Sequence, residues 1–319
     1  MRFAAYAAGA QSLPAGPLFM GYYESWNELP VETARQTRLA QLPDSLDIVA
    51  VSFVKPDLAF DGNHLRDSGL QTFGSAQFLK EAIDLLRKRN PKVRVLLSVG
   101  GSSYTNGWIS YDAAALARLV KAVGADGVDL DYEPDEPGCA RMRLGEMASI
   151  LCASDTEWQR ILRQTRAELP RPYLLTAPGW SVGAYGEGEF ARELPASRYT
   201  GSMMWLKRMK EAKEIDLLSI MAYDAGPTLD PERVFAAYRA IWSGPLLLGM
   251  SVPPDARGGL PYTATRMKHF AGQRSGDQRG GIMLWAATSP SEDGPSLDRP
   301  DGELAIRWIC QGLGRAECN

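Results

Sequence analysis

The sequence predicts an α/β protein, a single closed (β/α)8 TIM barrel. Three observations carry this. Eight short β-rich runs recur down the chain, most of them continuously apolar rather than alternating, as in strands buried on both faces. Segments with helical spacing lie between them. No run is followed by the G-x-G-x-x-G turn expected of an open doubly wound sheet, the competing architecture. Gly186 and Gly188 in YGEGEF lack the third glycine and a strong preceding strand. Eight strands alternating with helices have the closed barrel as their dominant solution.

The runs are, in order, 19–26 (FMGYYESW), 48–54 (IVAVSFV), 93–99 (VRVLLSV), 127–133 (GVDLDYE), 173–177 (YLLTA), 216–223 (DLLSIMAY), 246–252 (LLLGMSV) and 281–287 (GIMLWAA). The helical segments follow them. Residues 77–89 place Phe78, Ile83, Leu85 and Leu86 near one stripe, with Lys and Arg in the last turn. Residues 111–123 and 156–169 carry apolar side chains at three- and four-residue spacing. Residues 231–242 open with Asp230 as N-cap and Pro231 at the first helical position. Residues 263–271 and 302–310 complete the set. Each stripe reads as core packing. Residues 1–16 read as an N-terminal extension or leader remnant, and 17–319 as the barrel, with no linker or low-complexity tract between.

Of 319 residues, 45% are hydrophobic and 23% charged, which excludes bulk disorder. A net charge of -3 gives no fold-wide basic surface for a nucleic acid. No uninterrupted apolar window is long enough for a transmembrane helix. The two histidines, His64 and His269, lie in no recognisable motif. That argues against a histidine-rich metal centre or a Ser-His-Asp triad, so carboxylates and aromatics are expected to carry the chemistry. Four cysteines form two local pairs, Cys139 with Cys152 and Cys310 with Cys318, without C-x-x-C spacing. Two short-range disulfides in an oxidising compartment are preferred over four free thiols in the cytosol. The opening MRFAAYAAGA is shorter than a usual signal-peptide core, and whether it is a leader stays open.

Reactive groups in such barrels lie at the C-terminal strand ends. The fourth run ends Asp126-Gly-Val-Asp129-Leu-Asp131-Tyr-Glu133. Asp129, Asp131 and Glu133 alternate with Val128, Leu130 and Tyr132, so the three acids share one face, at intervals of about 6–7 Å. Asp126 is read as structural. The alternatives for the acids are a solvated polar edge or a Mg²⁺ or Ca²⁺ site, but no neighbouring run supplies further ligands. Stacked carboxylates repel and desolvate one another, which raises at least one pKa. Glu133, outermost, could then hold a proton near neutral pH and act as a general acid. Asp131 could share a hydrogen bond with it or with substrate, and Asp129 could exchange the proton as Asp131 turns.

These residues resemble the D-x-x-D-x-D-x-E signature of glycoside hydrolase family 18, the chitinases and endo-β-N-acetylglucosaminidases. Ser98-Val-Gly100-Gly101 is similar to its S-x-G-G, Met221-Ala-Tyr223-Asp224 to its M-x-Y-D, and Trp285 to the tryptophan that floors the cleaved-sugar subsite. Gly21-Tyr-Tyr-Glu-Ser-Trp26 is similar to its first strand. The resemblance spans residues 19–287. It implies retaining hydrolysis of β-1,4-linked N-acetylglucosamine in chitin or a related glycan, with the substrate's own acetamido oxygen as nucleophile. By that analogy Glu133 is the acid, Asp131 binds the acetamido N–H, Tyr223 donates to the acetamido oxygen, and Asp129 completes the catalytic set. Asp224, Trp285, Met221, Tyr23 and Trp180 would bind substrate, with Trp26 and, more weakly, Trp108 as further stacking candidates. Many chitinases insert an α+β domain between strands seven and eight. This chain has no room for one, so the cleft should be shallow and open. The cysteine pairs lead us to expect a secreted, extracellular protein, and the charge and hydropathy no nucleic-acid or membrane partner; a monomer with no cofactor and no metal is expected. An endo-β-N-acetylglucosaminidase acting on N-glycans and a non-hydrolytic chitin-binding lectin are the alternatives.

Overall fold

In a computed structural model that describes residues 13–144, 147–291, 294–316 and 318, every apolar run forms a strand. Of the expected extension over 1–16, residues 1–12 lie outside the described residues. The strands are β1 Leu18–Glu24, β2 Ile48–Val54, β3 Arg94–Gly100 and β4 Gly127–Asp131, then β5 Cys139–Leu144 and β6 Met147–Cys152. After these come β7 Leu174–Trp180, β8 Leu217–Met221, β9 Leu246–Ser251 and β10 Gly281–Trp285. All but β5 and β6 join in parallel into a closed barrel in the order β1-β2-β3-β4-β7-β8-β9-β10, with β10 returning to β1. Every residue of β1, β4 and β9 is buried. One face fills the barrel and the other meets the helix layer, which is why these strands do not alternate.

The helices are α1 Arg38–Gln41, α2 Ala76–Arg89, α3 Ala113–Val123, α4 Ser154–Glu168, α5 Pro231–Ile241, α6 Ala264–Arg274 and α7 Gly302–Gly312. Side chains cap several of them. Ser75, Asp112, Thr263 and Asp301 each accept a backbone N–H from the first turn. Asp230 does the same ahead of Pro231, as the sequence indicated. The apolar stripe of α2 buries Leu79, Ala82, Ile83 and Leu86 against the sheet, while Phe78 and Leu85 are only half-buried.

Two segments depart from the sequence reading. β5 and β6 pair as an antiparallel hairpin, where no strands were expected. Cys139 and Cys152 face each other across its open end and are bridged. The short CARMRL and MASILC runs carry too little periodicity to announce it. After β7 no α-helix forms before β8. The chain makes 3-10 turns at Gly188–Phe190, Met204–Lys207 and Lys210–Glu214, broken by Gly186 and Gly201, both at positive φ. Between β9 and β10 only α6 intervenes, so no α+β insertion walls the barrel mouth. The second disulfide, Cys310–Cys318, ties α7 to the C-terminal residues.

Candidate active site

The fourth barrel strand places Asp129 and Asp131 on the inner face, and Glu133 follows just past its end. Asp129 is fully buried and saturated. Ser98 and Thr176 lie beside it in register on β3 and β7. Ser98 Oγ donates to its Oδ2 at 2.9 Å and Thr176 Oγ1 to its Oδ1 at 2.6 Å. Tyr22 Oη, from β1, donates to Oδ2 at 2.7 Å. Burial raises the Asp129 pKa, and these three bonds oppose that shift.

Asp131, one layer nearer the mouth, has a buried Oδ1 with no hydrogen-bond partner among the described residues. Burial first, then the charges of Glu133 and Asp129, hold its pKa well above the ordinary carboxylate value. Glu133 is only partly covered. Burial and then the Asp224 carboxylate push it from 4.5 to about 7, against a backbone hydrogen bond from Ser102. Neighbouring carboxylates therefore stand in three environments: one saturated, one without a partner, one poised near neutrality. Tyr223 is buried, and burial with the charges of Asp131, Glu133 and Asp224 keeps its hydroxyl protonated, a standing donor.

The backbone makes room for this arrangement. Gly100 pairs with Asp131, and its φ is +106°. A side chain there would put its Cβ 2.2 Å from the Asp131 carbonyl oxygen. That oxygen accepts the Gly101 N–H at 2.9 Å. The two glycines are thus required by close approach and by left-handed backbone.

Aromatic rings line both sides. Trp285 at the end of β10 meets Tyr22 edge-on at 5.4 Å and stacks on Phe53 at 5.5 Å. Trp26, 38% exposed, stacks on Phe53 at 5.8 Å and lies 6.3 Å from Trp285. Opposite, Trp180 stacks face to face on Tyr199 at 3.7 Å. The cleft between holds about 280 Å³ and is lined by Asp131, Glu133, Tyr223, Asp224, Trp180 and Trp285, with Met221 also in its wall. A neighbouring hollow of about 540 Å³ shares Trp180, Ser181, Asp224 and Arg257 with it.

Eight of the nine sequence-derived site residues therefore converge around the barrel mouth. Tyr23 does not. Its side chain is fully buried, its hydroxyl donates to Glu28, and its ring lies 6.1 Å from Phe73. Alternation along β1 sends Tyr22 inward and Tyr23 outward, so Tyr22 is the residue at the site. Trp108 is likewise core, packed 5.3 Å from Tyr132, and is no stacking platform. Asp126 is structural, as expected: it pairs with Arg87 at 2.6 Å and accepts the Val95 N–H. Phe53, Tyr199, Thr176 and Arg257 were not read from the sequence. Parity with Asp129 could have found Tyr22, but Tyr199 and Arg257 come from loops that carry no period.

A closed (β/α)8 barrel with a carboxylate ladder and flanking indole rings at its C-terminal mouth defines the class: a barrel built for carbohydrate chemistry. Residues 18–238 match the family model described as glycosyl hydrolases family 18, and the chain belongs to that family. A chitinase of Plasmodium falciparum (isolate 3D7) is 34% identical over 132 residues, which is 37% of this chain and 32% of that protein, so the match spans about a third of the relative's length. Among solved structures, a GH18 chitinase from Pseudoalteromonas aurantia superposes with a TM-score of 0.57 at 20% identity, covering 85% of this chain and 94% of its own. Group II chitinase catalytic domain 2 of Ostrinia furnacalis gives 0.62 at 13% identity, covering 95% and 98%. At these identities the structural likeness speaks for the fold.

Proposed function

We propose that this protein is an endo-acting, retaining chitinase that cleaves β-1,4-linked N-acetylglucosamine polymers by substrate-assisted catalysis. The observation that carries the reading is the division of labour along β4. Asp129 is saturated, Asp131 keeps a buried oxygen without a partner, and Glu133 sits near neutrality beside them. Glu133 protonates the glycosidic oxygen as the bond to the anomeric carbon breaks. The acetamido carbonyl oxygen of the same sugar attacks that carbon from the opposite face, giving an oxazolinium ion. The free oxygen of Asp131 accepts the acetamido N–H and stabilises the positive charge. Tyr223 donates to the acetamido oxygen, Asp224 contacts the same sugar, and Trp285 offers the ring a flat apolar floor. Water, deprotonated by Glu133, then opens the oxazolinium with net retention. Asp129 anchors the ladder to β1, β3 and β7. Two disulfides suit an oxidising compartment, and we place the protein outside the cell.

The test is incubation with chitin oligomers, with fully deacetylated oligomers and with a high-mannose glycoprotein, followed by product masses and early NMR of the anomer. Cleavage of the acetylated oligomers alone, with β-anomer first, is expected. Cutting of deacetylated chains, or an initial α-anomer, overturns the mechanism. Release of the N-glycan with chitin oligomers untouched overturns the substrate.

A further inference from the structure

We infer that Asp255 is a positioning residue for the reaction: it clasps the loop after β8 to the loop after β9 and so fixes the Asp224 carboxylate beside Glu133. The inference rests on the reading of Glu133 as the acid.

The clasp is reciprocal. The Asp224 N–H donates to Asp255 Oδ2 at 2.8 Å, and the Ala256 N–H donates to Asp224 Oδ1 at 2.6 Å. Each aspartate thus receives a backbone N–H from the other's loop. The other oxygen of Asp255 closes its own turn, accepting the Arg257 N–H at 2.9 Å and the Gly259 N–H at 2.8 Å. One side chain therefore serves two loops. Asp224 needs such a restraint, because its φ is +51°, a left-handed conformation unfavourable to a non-glycine residue. Asp224 lines the cleft together with Asp131, Glu133, Tyr223 and Arg257. Of these neighbours, its charge is the one that raises Glu133, after burial itself. Asp255 does not line this cleft; it lines a separate hollow of about 330 Å³, beside Pro254 and Arg299. Its route to the acid runs through Asp224, not through substrate.

The test variants are Asp255→Asn and Asp255→Ala in the full chain. Asparagine keeps its oxygen for the two turn amides and turns its NH₂ toward the Asp224 N–H, so it severs the tie while sparing the turn. Alanine removes both. With Asp224 released, less negative charge faces Glu133, and its carboxylate becomes easier to form. Carbon-detected NMR of the Glu133 carboxyl, assigned by its loss in Glu133→Gln, is expected to read a pKa lowered by about one unit in both variants. The Asp224 amide should exchange with solvent at least about tenfold faster. The alkaline limb of kcat/KM should move down by the same interval, and KM for the shortest cleaved oligomer should rise, since Asp224 also contacts the sugar. An unchanged Glu133 pKa overturns the inference. So does a lowered pKa with Asp224 exchange unchanged, since that is the charge of Asp255 acting through space. The NMR readout needs no turnover. If the wild-type protein cleaves no chitin oligomer, the proposed function fails, and the clasp is still judged by the carboxyl titration.

Discussion

Glu133 and Asp131 differ by two positions yet meet different surroundings, and the difference sets what each can do. Burial and Asp224 together lift Glu133 to about 7, so the acid form is present below that pH and is lost as pH rises through it. Hydrolysis of soluble oligomers is expected to hold at pH 5–6 and to fall about tenfold per unit above pH 7, read as kcat/KM against pH. Glu133→Gln should lower turnover by about 10²–10⁴ while the protein stays folded and retains oligomer binding. A mutant with near-normal turnover would remove Glu133 from the mechanism. Thr176→Val tests the support beneath. It leaves Asp129 Oδ1 buried without its 2.6 Å donor, at a cost of about 1–3 kcal/mol. Thermal unfolding should register that loss.

The hairpin of β5 and β6 begins six residues past Glu133, and its bridge joins residues 13 apart. Ile150 on β6 packs where any side chain at Gly186 or Gly201 would collide, within 2.3 and 2.6 Å. Glu187 accepts the Ile150 N–H and the Ser149 hydroxyl, fastening the hairpin to the loop after β7. Closing a loop of this length stabilises by about 3 kcal/mol in the chain-entropy account. Cys139→Ser with Cys152→Ser should lower the unfolding midpoint accordingly. Intact mass before and after reduction should report no alkylatable thiol in the native protein. The helices were legible because caps and stripes are local signals: Asp230-Pro231 marks the start of α5 in two residues. The hairpin was not, because its strands find their partner only in each other and in Ile150's pocket.

Across the molecule, the missing wall between β9 and β10 sets the expected mode of attack. With only α6 there, a sugar chain bound on the proposed reading would be flanked by Trp26, Trp285 and Phe53 on one side and the Trp180–Tyr199 pair on the other. Each apolar contact contributes roughly 25 cal/mol per Å². Few platforms in an open cleft let the chain leave after each cut. Soluble chitin derivatives should lose viscosity before much reducing sugar appears. Steady disaccharide release at nearly constant viscosity would indicate a processive, exo-acting enzyme instead.

By itself the sequence determined the barrel, the order of its strands, the helix starts and the acid ladder on β4. All of these follow from short-range periodicity: two for a strand face, about 3.6 for a helix stripe. It also paired the cysteines by nearness. Only the tertiary structure decided which tyrosine of Tyr22 and Tyr23 enters the barrel, because a one-residue step reverses the face. Only it put Trp108 in the core, and brought Phe53 from β2, Tyr199 from the loop after β7, and Arg257 from the loop after β9 to the mouth, with Asp255 of that last loop tied to Asp224. Those residues lie as much as 204 positions apart, from Phe53 to Arg257, and closure of the barrel is the physical event that makes them neighbours.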